Sequence, residues 1–245
     1  MKRQADWCVV FDFDGTCITR EVGSLFTVID QVALTSDKLK EESKQMRKFF
    51  LHKAHHGKLS VKEEIHWLDQ TIKLYKEGKL TLIKAGSVLR EVTLRDGVWK
   101  CLERFHNMGV PIAIISYGVR DFIDIVLRAN HADAFVDEIY AANLVLDKKT
   151  LITGYKKHTA VFPETKGKFS LRFAKKHGVS RTRILAVGDS GSDRYLGYLK
   201  KNRLGIVEDY EKIKQVKTFM GEIFLTKSFY PISDRLLEKI ERGRQ

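Results

Sequence analysis

The sequence predicts an α/β protein: a three-layer core on a parallel sheet, with a helical cap inserted into it. Three observations carry this. Short apolar runs at 8–11, 110–115 and 184–187 have strand length and end in polar or acidic residues, the pattern of strands buried on both faces. Helical patterns alternate with these runs, which calls for a parallel sheet covered on both sides. Residues 20–91 show helical periodicity and no convincing strand, and an insert of roughly 70 residues is too long for a simple crossover.

Composition sets the bounds. A chain of 245 residues, 43% of them apolar, is long enough for one large core with a smaller inserted domain. Three prolines and scattered glycines leave no flexible linker, and no internal repeat is visible. Cys8, Cys17 and Cys101 have neither metal-ligand spacing nor an even count. They fit a reducing interior, so a cytoplasmic chain is expected. The first residues are short and polar rather than a signal peptide, and no run approaches a membrane span. The net charge of +13 suits an anionic substrate or a polyanionic partner. A solvated, lysine-rich surface accounts for most of it, and no basic run is interleaved with aromatics for base stacking.

The elements follow in order. The first strand leads into helices with apolar residues at Leu25, Phe26, Ile29 and again at Ile65, Leu68, Ile72, punctuated by Gly57-Lys58 and Gly78-Lys79. The expected division is a core of 1–19 and 92–245 and a cap of 20–91. The Leu94-Arg95-Asp96-Gly97 turn returns the chain to the core. A helix to about 108, a strand at 110–116, a helix at 119–129 and a strand near 135–140 follow. Residues 144–155 resemble a small hairpin, 166–177 a helix, and 184–188 a strand. A helix after Ser192, short strands near 204–207 and 223–225, and a helix at 233–242 complete the core.

The segment Asp12-Phe13-Asp14-Gly15-Thr16 carries the chemistry. Two acids at i and i+2 face the same side of a strand. Burying carboxylates costs several kcal/mol per charge unless something compensates, and two carboxylates about 4 Å apart repel by roughly 4 kcal/mol at an effective dielectric of 20. A divalent cation would remove both penalties, and strand carboxyl ends are where open α/β sheets place ligands. Two further strands end in polar groups, one at Ser116 and one at Asp189 with Asp193, and Lys166 opens a helix between them.

In this order, Asp-x-Asp-Gly-Thr at 12–16, Ser116, Lys166 and Gly-Asp-x-x-x-Asp at 188–193 resemble the motif set of the haloacid dehalogenase-like superfamily. The resemblance implies a Rossmann-like core and a magnesium-dependent phosphomonoester hydrolase. A carboxylate such as Asp12 can attack phosphorus and form an aspartyl-phosphate. Asp14 can protonate the leaving oxygen and then deprotonate water, and the resemblance gives its backbone carbonyl to the metal. Asp12, Asp189 and that carbonyl suffice for Mg2+. Ser116 and Lys166, with Tyr117 beside them, are expected to hold the substrate's phosphoryl group. Asp193 is expected to orient Lys166 or metal-bound water, and Thr16 to brace the loop.

The insert occupies the cap position of phosphoserine phosphatases, pyrimidine 5′-nucleotidases and methionine-salvage phosphatases, where the cap decides the substrate. Glu21 stands where phosphoserine phosphatases carry a substrate-binding glutamate. His66 stands near their carboxylate-binding arginine, a departure that counts against phosphoserine. Trp67 is a candidate to stack on a base or to pack in the cap core. The expected substrate is a small phosphorylated metabolite or nucleotide. The alternatives are a phosphoprotein phosphatase acting on phosphotyrosine or phosphoserine, and a basic nucleic-acid-binding protein with an unused site.

Overall fold

The computed structural model describes residues 5–55 and 60–243. The Gly57-Lys58 break lies outside them. Six parallel strands form the sheet, in the order β3-β2-β1-β6-β7-β8. β1 (Cys8–Phe11) lies between β2 (Ile112–Val119) and β6 (Ile184–Gly188), with Phe11 paired to Ile114 on one side and Val187 on the other. β3 (Glu138–Ala142) forms one edge; β7 (Arg203–Val207) and β8 (Glu222–Leu225) complete the other.

Alternation along the strands builds the layers. Val9, Phe11, Ile112, Ile114, Leu185 and Val187 point into one apolar cluster, shared with Leu102 and Phe105 of α5 (Val98–Asn107), Phe122 of α6 (Arg120–Ala129) and Leu236 of α9 (Tyr230–Arg242). Cys8, Val10, Ala113, Ile115, Ile184 and Ala186 point the other way, against Phe173 of α7 (Lys166–Lys176). With both faces covered, the strands carry no polar alternation.

Four helices fill the span between β1 and α5: α1 (Leu25–Ala33), α2 (Asp37–His55), α3 (Val61–Glu77) and α4 (Leu82–Leu89). Ser24 caps α1 by accepting the Thr27 N–H, and Ser60 with Glu63 forms a reciprocal capping box on α3. Helix α3 buries Glu64, Leu68, Thr71, Ile72 and Tyr75, one stripe at three- and four-residue spacing. The hairpin of β4 (Leu144–Leu146) and β5 (Ile152–Tyr155) forms its own two-stranded sheet and reaches the inserted helices. The Leu82 N–H donates to Thr150 O, the Ile152 N–H to Leu80 O, and Tyr155 Oη lies 2.8 Å from Asp69 Oδ1.

Several details differ from expectation. β2 runs on past Ser116 to Val119, and the strand expected near 135–140 covers Glu138–Ala142. The segment after Ser192 is a single 3₁₀ stretch, Gly191–Tyr195, because the Asp193 carboxylate turns back to accept the N–H groups of Asp189 and Ser190. A short helix, α8 (Tyr210–Val216), lies between β7 and β8. Helix α9 begins at Tyr230, one turn earlier than expected, with a proline in its first turn. No helix among the described residues is long and apolar enough to cross a membrane.

Candidate active site

Asp12 follows β1, Ser116 lies within β2 and Asp189 follows β6, so the central strands deliver three polar groups to one end of the sheet. Asp14, Gly15, Ser116, Tyr117, Lys166 and Asp189 line a cavity of about 540 Å³ with Asp12. Gly15 is required by geometry. Its φ is +75°, and a Cβ there would lie 2.5 Å from Asp189 Oδ2. Gly188 is equally tight, since a Cβ would lie 2.4 Å from Asp193 Cγ.

Lys166 opens α7 and is fully buried. Its Nζ donates to Asp12 Oδ1 and Asp193 Oδ1, each at 2.6 Å. Burial would lower its pKa, but the two carboxylates outweigh burial and hold it above the usual lysine value. Asp193 is doubly engaged. One oxygen takes Lys166, and the other accepts backbone N–H groups of the β6 loop. The half-buried Asp14 accepts the Leu25 N–H at the start of α1. Desolvation first, and then the charge of Asp12, push its carboxyl up to about 7. Asp12 and Asp189 are also raised to about 7, chiefly by burial and next by repulsion from Asp193. Asp12, Asp189 and Asp193 bring one carboxylate oxygen each within 4.8 Å of the others. Buried, mutually repelling hard oxygens of this kind fit a small divalent cation such as Mg2+.

Ser116 is buried, and its Oγ accepts the Gly118 N–H at 3.0 Å. The hydroxyl of Tyr117 donates to Glu64 O on α3 at 2.7 Å, tying the end of β2 to the inserted helices. Thr16 is buried, with its carbonyl held by Arg95 Nε and its own hydroxyl unpartnered among the described residues. Glu21 stands apart. It is exposed, pairs with Lys227 and is absent from the cavity wall. His66 is exposed and absent from the cavity wall, although its ring centroid lies 6.3 Å from that of Phe50, which lines it. Trp67 lines the cavity and also packs edge-on against Phe26, with ring centroids 4.9 Å apart.

Four residues outside the motifs belong to the site or its support. Arg20 donates to Asp189. Glu64, 5% exposed, lines the cavity with Oε2 unpartnered among the described residues. Its carboxyl is raised to about 8 by burial and then by Glu164, against the opposing pull of Arg194 and Lys166. Arg47 reaches the cavity while paired to Asp30 at 2.7 Å. Arg95 is fully buried and donates to Gly15 O, Thr16 O, Lys227 O and Glu208 Oε1. Each sits beside another charged residue in the sequence (Glu21, Glu63, Lys48 and Asp96 in turn), a pattern that reads as a solvated surface or turn.

Residues 8–194 match the model of the haloacid dehalogenase-like hydrolases, and the chain belongs to that family. A phosphoserine phosphatase of Methanocaldococcus jannaschii is 25% identical over 185 residues, covering 76% of this chain and 78% of that protein. A 7-methylguanosine phosphate-specific 5′-nucleotidase of Gallus gallus is 26% identical over 212 residues, covering 76% of this chain and 68% of that protein. In fold, the chain resembles a cytosolic 5′-nucleotidase IIIB bound to cytidine, with a TM-score of 0.75 at 16% identity over 98% of this chain and 87% of that one. The chain is thus a hydrolase whose curated relatives are phosphatases.

Proposed function

We propose that the protein is a magnesium-dependent phosphomonoester hydrolase working through an aspartyl-phosphate on Asp12. The observation that supports it best is the convergence of Asp12, Asp14, Ser116, Lys166 and Asp189 on one cavity. Lys166 holds one oxygen of Asp12, and the other forms the bond to phosphorus as the ester oxygen leaves. Asp14, raised to about 7, carries the proton the leaving oxygen needs. It then takes a proton from the water that cleaves the aspartyl-phosphate and frees inorganic phosphate. Ser116 Oγ and Lys166 Nζ steady the phosphoryl oxygens, where charge spreads in the transition state. Asp12, Asp189 and the Asp14 carbonyl would hold Mg2+, which supplies charge neutralisation between nucleophile and phosphate. Asp193 orients Lys166, and Arg95 braces the loop through the Gly15 and Thr16 carbonyls.

In this reading residues 20–91 are the cap, and the β4–β5 hairpin packs with it. The cavity wall of Phe26, Phe50, Trp67 and Tyr117 favours a small metabolite with an apolar or planar leaving group, a nucleotide included, over a phosphoprotein. Three buried free cysteines support a reducing, cytoplasmic setting. The test is a phosphate-release screen with Mg2+ over sugar phosphates, nucleotides, phospho-amino acids and phosphopeptides. Turnover of small esters is expected. Release from phosphopeptides alone selects the phosphoprotein reading. No release from any class, with salt-sensitive binding of mixed DNA or RNA, selects the nucleic-acid alternative.

A further inference from the structure

Arg20 contacts the acidic cluster from the cavity side. Its Nε and Nη2 donate to one oxygen, Asp189 Oδ2, at 3.2 and 2.5 Å. The side chain keeps 28% of its exposure and lines the cavity. Its base, by contrast, is anchored. The Arg20 N–H faces Glu208 Oε1 at 3.4 Å, and the same oxygen accepts Arg95 Nη2 at 2.7 Å. The residue is therefore anchored at its backbone, while its partly exposed tip is held through Asp189.

Charge defines what the tip can do. Asp12, Asp14, Asp189 and Asp193 are four acids in one cluster, and Lys166 is committed to two of them. Arg20 serves a third. A divalent cation on Asp189 competes for the same carboxylate and repels a guanidinium a few ångströms away. The displaced fork stays in the cavity, where a phosphoryl group offers the paired acceptor oxygens that a guanidinium matches as well as it matches a carboxylate.

Resting on the metal-dependent reading above, we propose that Arg20 is an exchangeable counter-ion: it yields Asp189 to the divalent cation and then takes the phosphate of the substrate. Metal and substrate binding are then coupled in sequence through one side chain.

The experiment measures two affinities on the whole protein without turnover. Magnesium is titrated calorimetrically into wild type, Arg20→Ala, Arg20→Gln and Arg20→Lys. Inorganic phosphate is then titrated at saturating magnesium. Circular dichroism identifies any variant that misfolds, and the remaining variants carry the test. Removing the guanidinium is expected to tighten magnesium about tenfold, opposite in sign to the roughly 10–100-fold loss that follows removal of a partner that orients a metal ligand, and to weaken phosphate about tenfold. Arg20→Lys, which keeps the charge without the fork, should lie between. Unchanged or weaker magnesium binding in Arg20→Ala and Arg20→Gln would show that Arg20 merely orients Asp189 and overturns the proposal. Unchanged phosphate affinity overturns it as well. Wild-type protein that binds no magnesium refutes the metal-dependent reading itself, a result distinct from both.

Discussion

Lys166 Nζ bridges Asp12 and Asp193 at 2.6 Å to each, so the proposed nucleophile and its supporting acid share one buried cation. This bridge ties α7 to the ends of β1 and β6. It also divides Asp12 into one oxygen held by the protein and one available for chemistry.

Asp12→Asn is the direct test of covalent catalysis. The amide keeps the shape of the side chain but cannot form the acyl-phosphate. Phosphate release should fall by at least about 10³-fold, the scale of a lost nucleophile, while the circular dichroism spectrum is retained. Turnover within tenfold of wild type would rule the covalent route out.

Lys166→Met should cost stability as well as activity. It leaves the carboxylates of Asp12 and Asp193 facing each other without a cation. Breaking a buried pair by removing one partner costs about 3–5 kcal/mol. Urea denaturation in chelator should show a loss of this size, and a loss under about 1 kcal/mol would mean that the acids are neutralised in another way.

The sequence made Asp12, Ser116 and Asp189 legible because each follows an apolar run whose length fixes its position, while Lys166 and Asp193 were legible from their order and spacing relative to these. It did not separate Glu21 from Arg20. The two are adjacent, and the local path, with Gly23 at a φ of +81°, turns Arg20 toward Asp189 and Glu21 toward Lys227. Similarly, helical spacing sets Glu64 and Trp67 on the cavity side of α3 and leaves His66 in solvent. In the sequence, Arg95 reads as part of a turn. Its burial depends on carbonyls from the nucleophile loop and from Lys227 in the loop after β8, contacts that only the folded chain assembles. Helix α8 went unseen because most of its seven residues are polar or charged and it buries only Val216.

Metal and pH should act together on stability. Asp12, Asp14 and Asp189 are raised from an ordinary 3.8 to about 7. A carboxyl whose folded pKa lies above its unfolded value favours the fold fully below the unfolded pKa. That contribution fades as pH rises through the folded pKa. Ion-free protein should therefore lose stability between about pH 4 and 7. Magnesium bound to the ionised cluster offsets the loss, and protonation at low pH opposes its binding. The rise in melting temperature on adding saturating Mg2+ should be larger at pH 8 than at pH 5.5. Equal rises at both would remove the aspartate cluster as the ion's site.

Trp67→Ala tests what the cavity selects. The indole lines the cavity, with ring centroids 4.9 Å from Phe26 and 5.2 Å from Tyr117. If a planar leaving group lies against it, the lost stacking is worth about 1–3 kcal/mol. kcat/KM for a nucleoside monophosphate should then fall by about 5- to 150-fold. A small ester such as glycerol phosphate cannot make that contact, so its kcat/KM should stay within about threefold, because a remote contact accelerates only substrates able to form it. Parallel loss on both esters, with a lower melting temperature, would assign Trp67 to the packing of the inserted helices and leave substrate choice to Glu64 and Arg47.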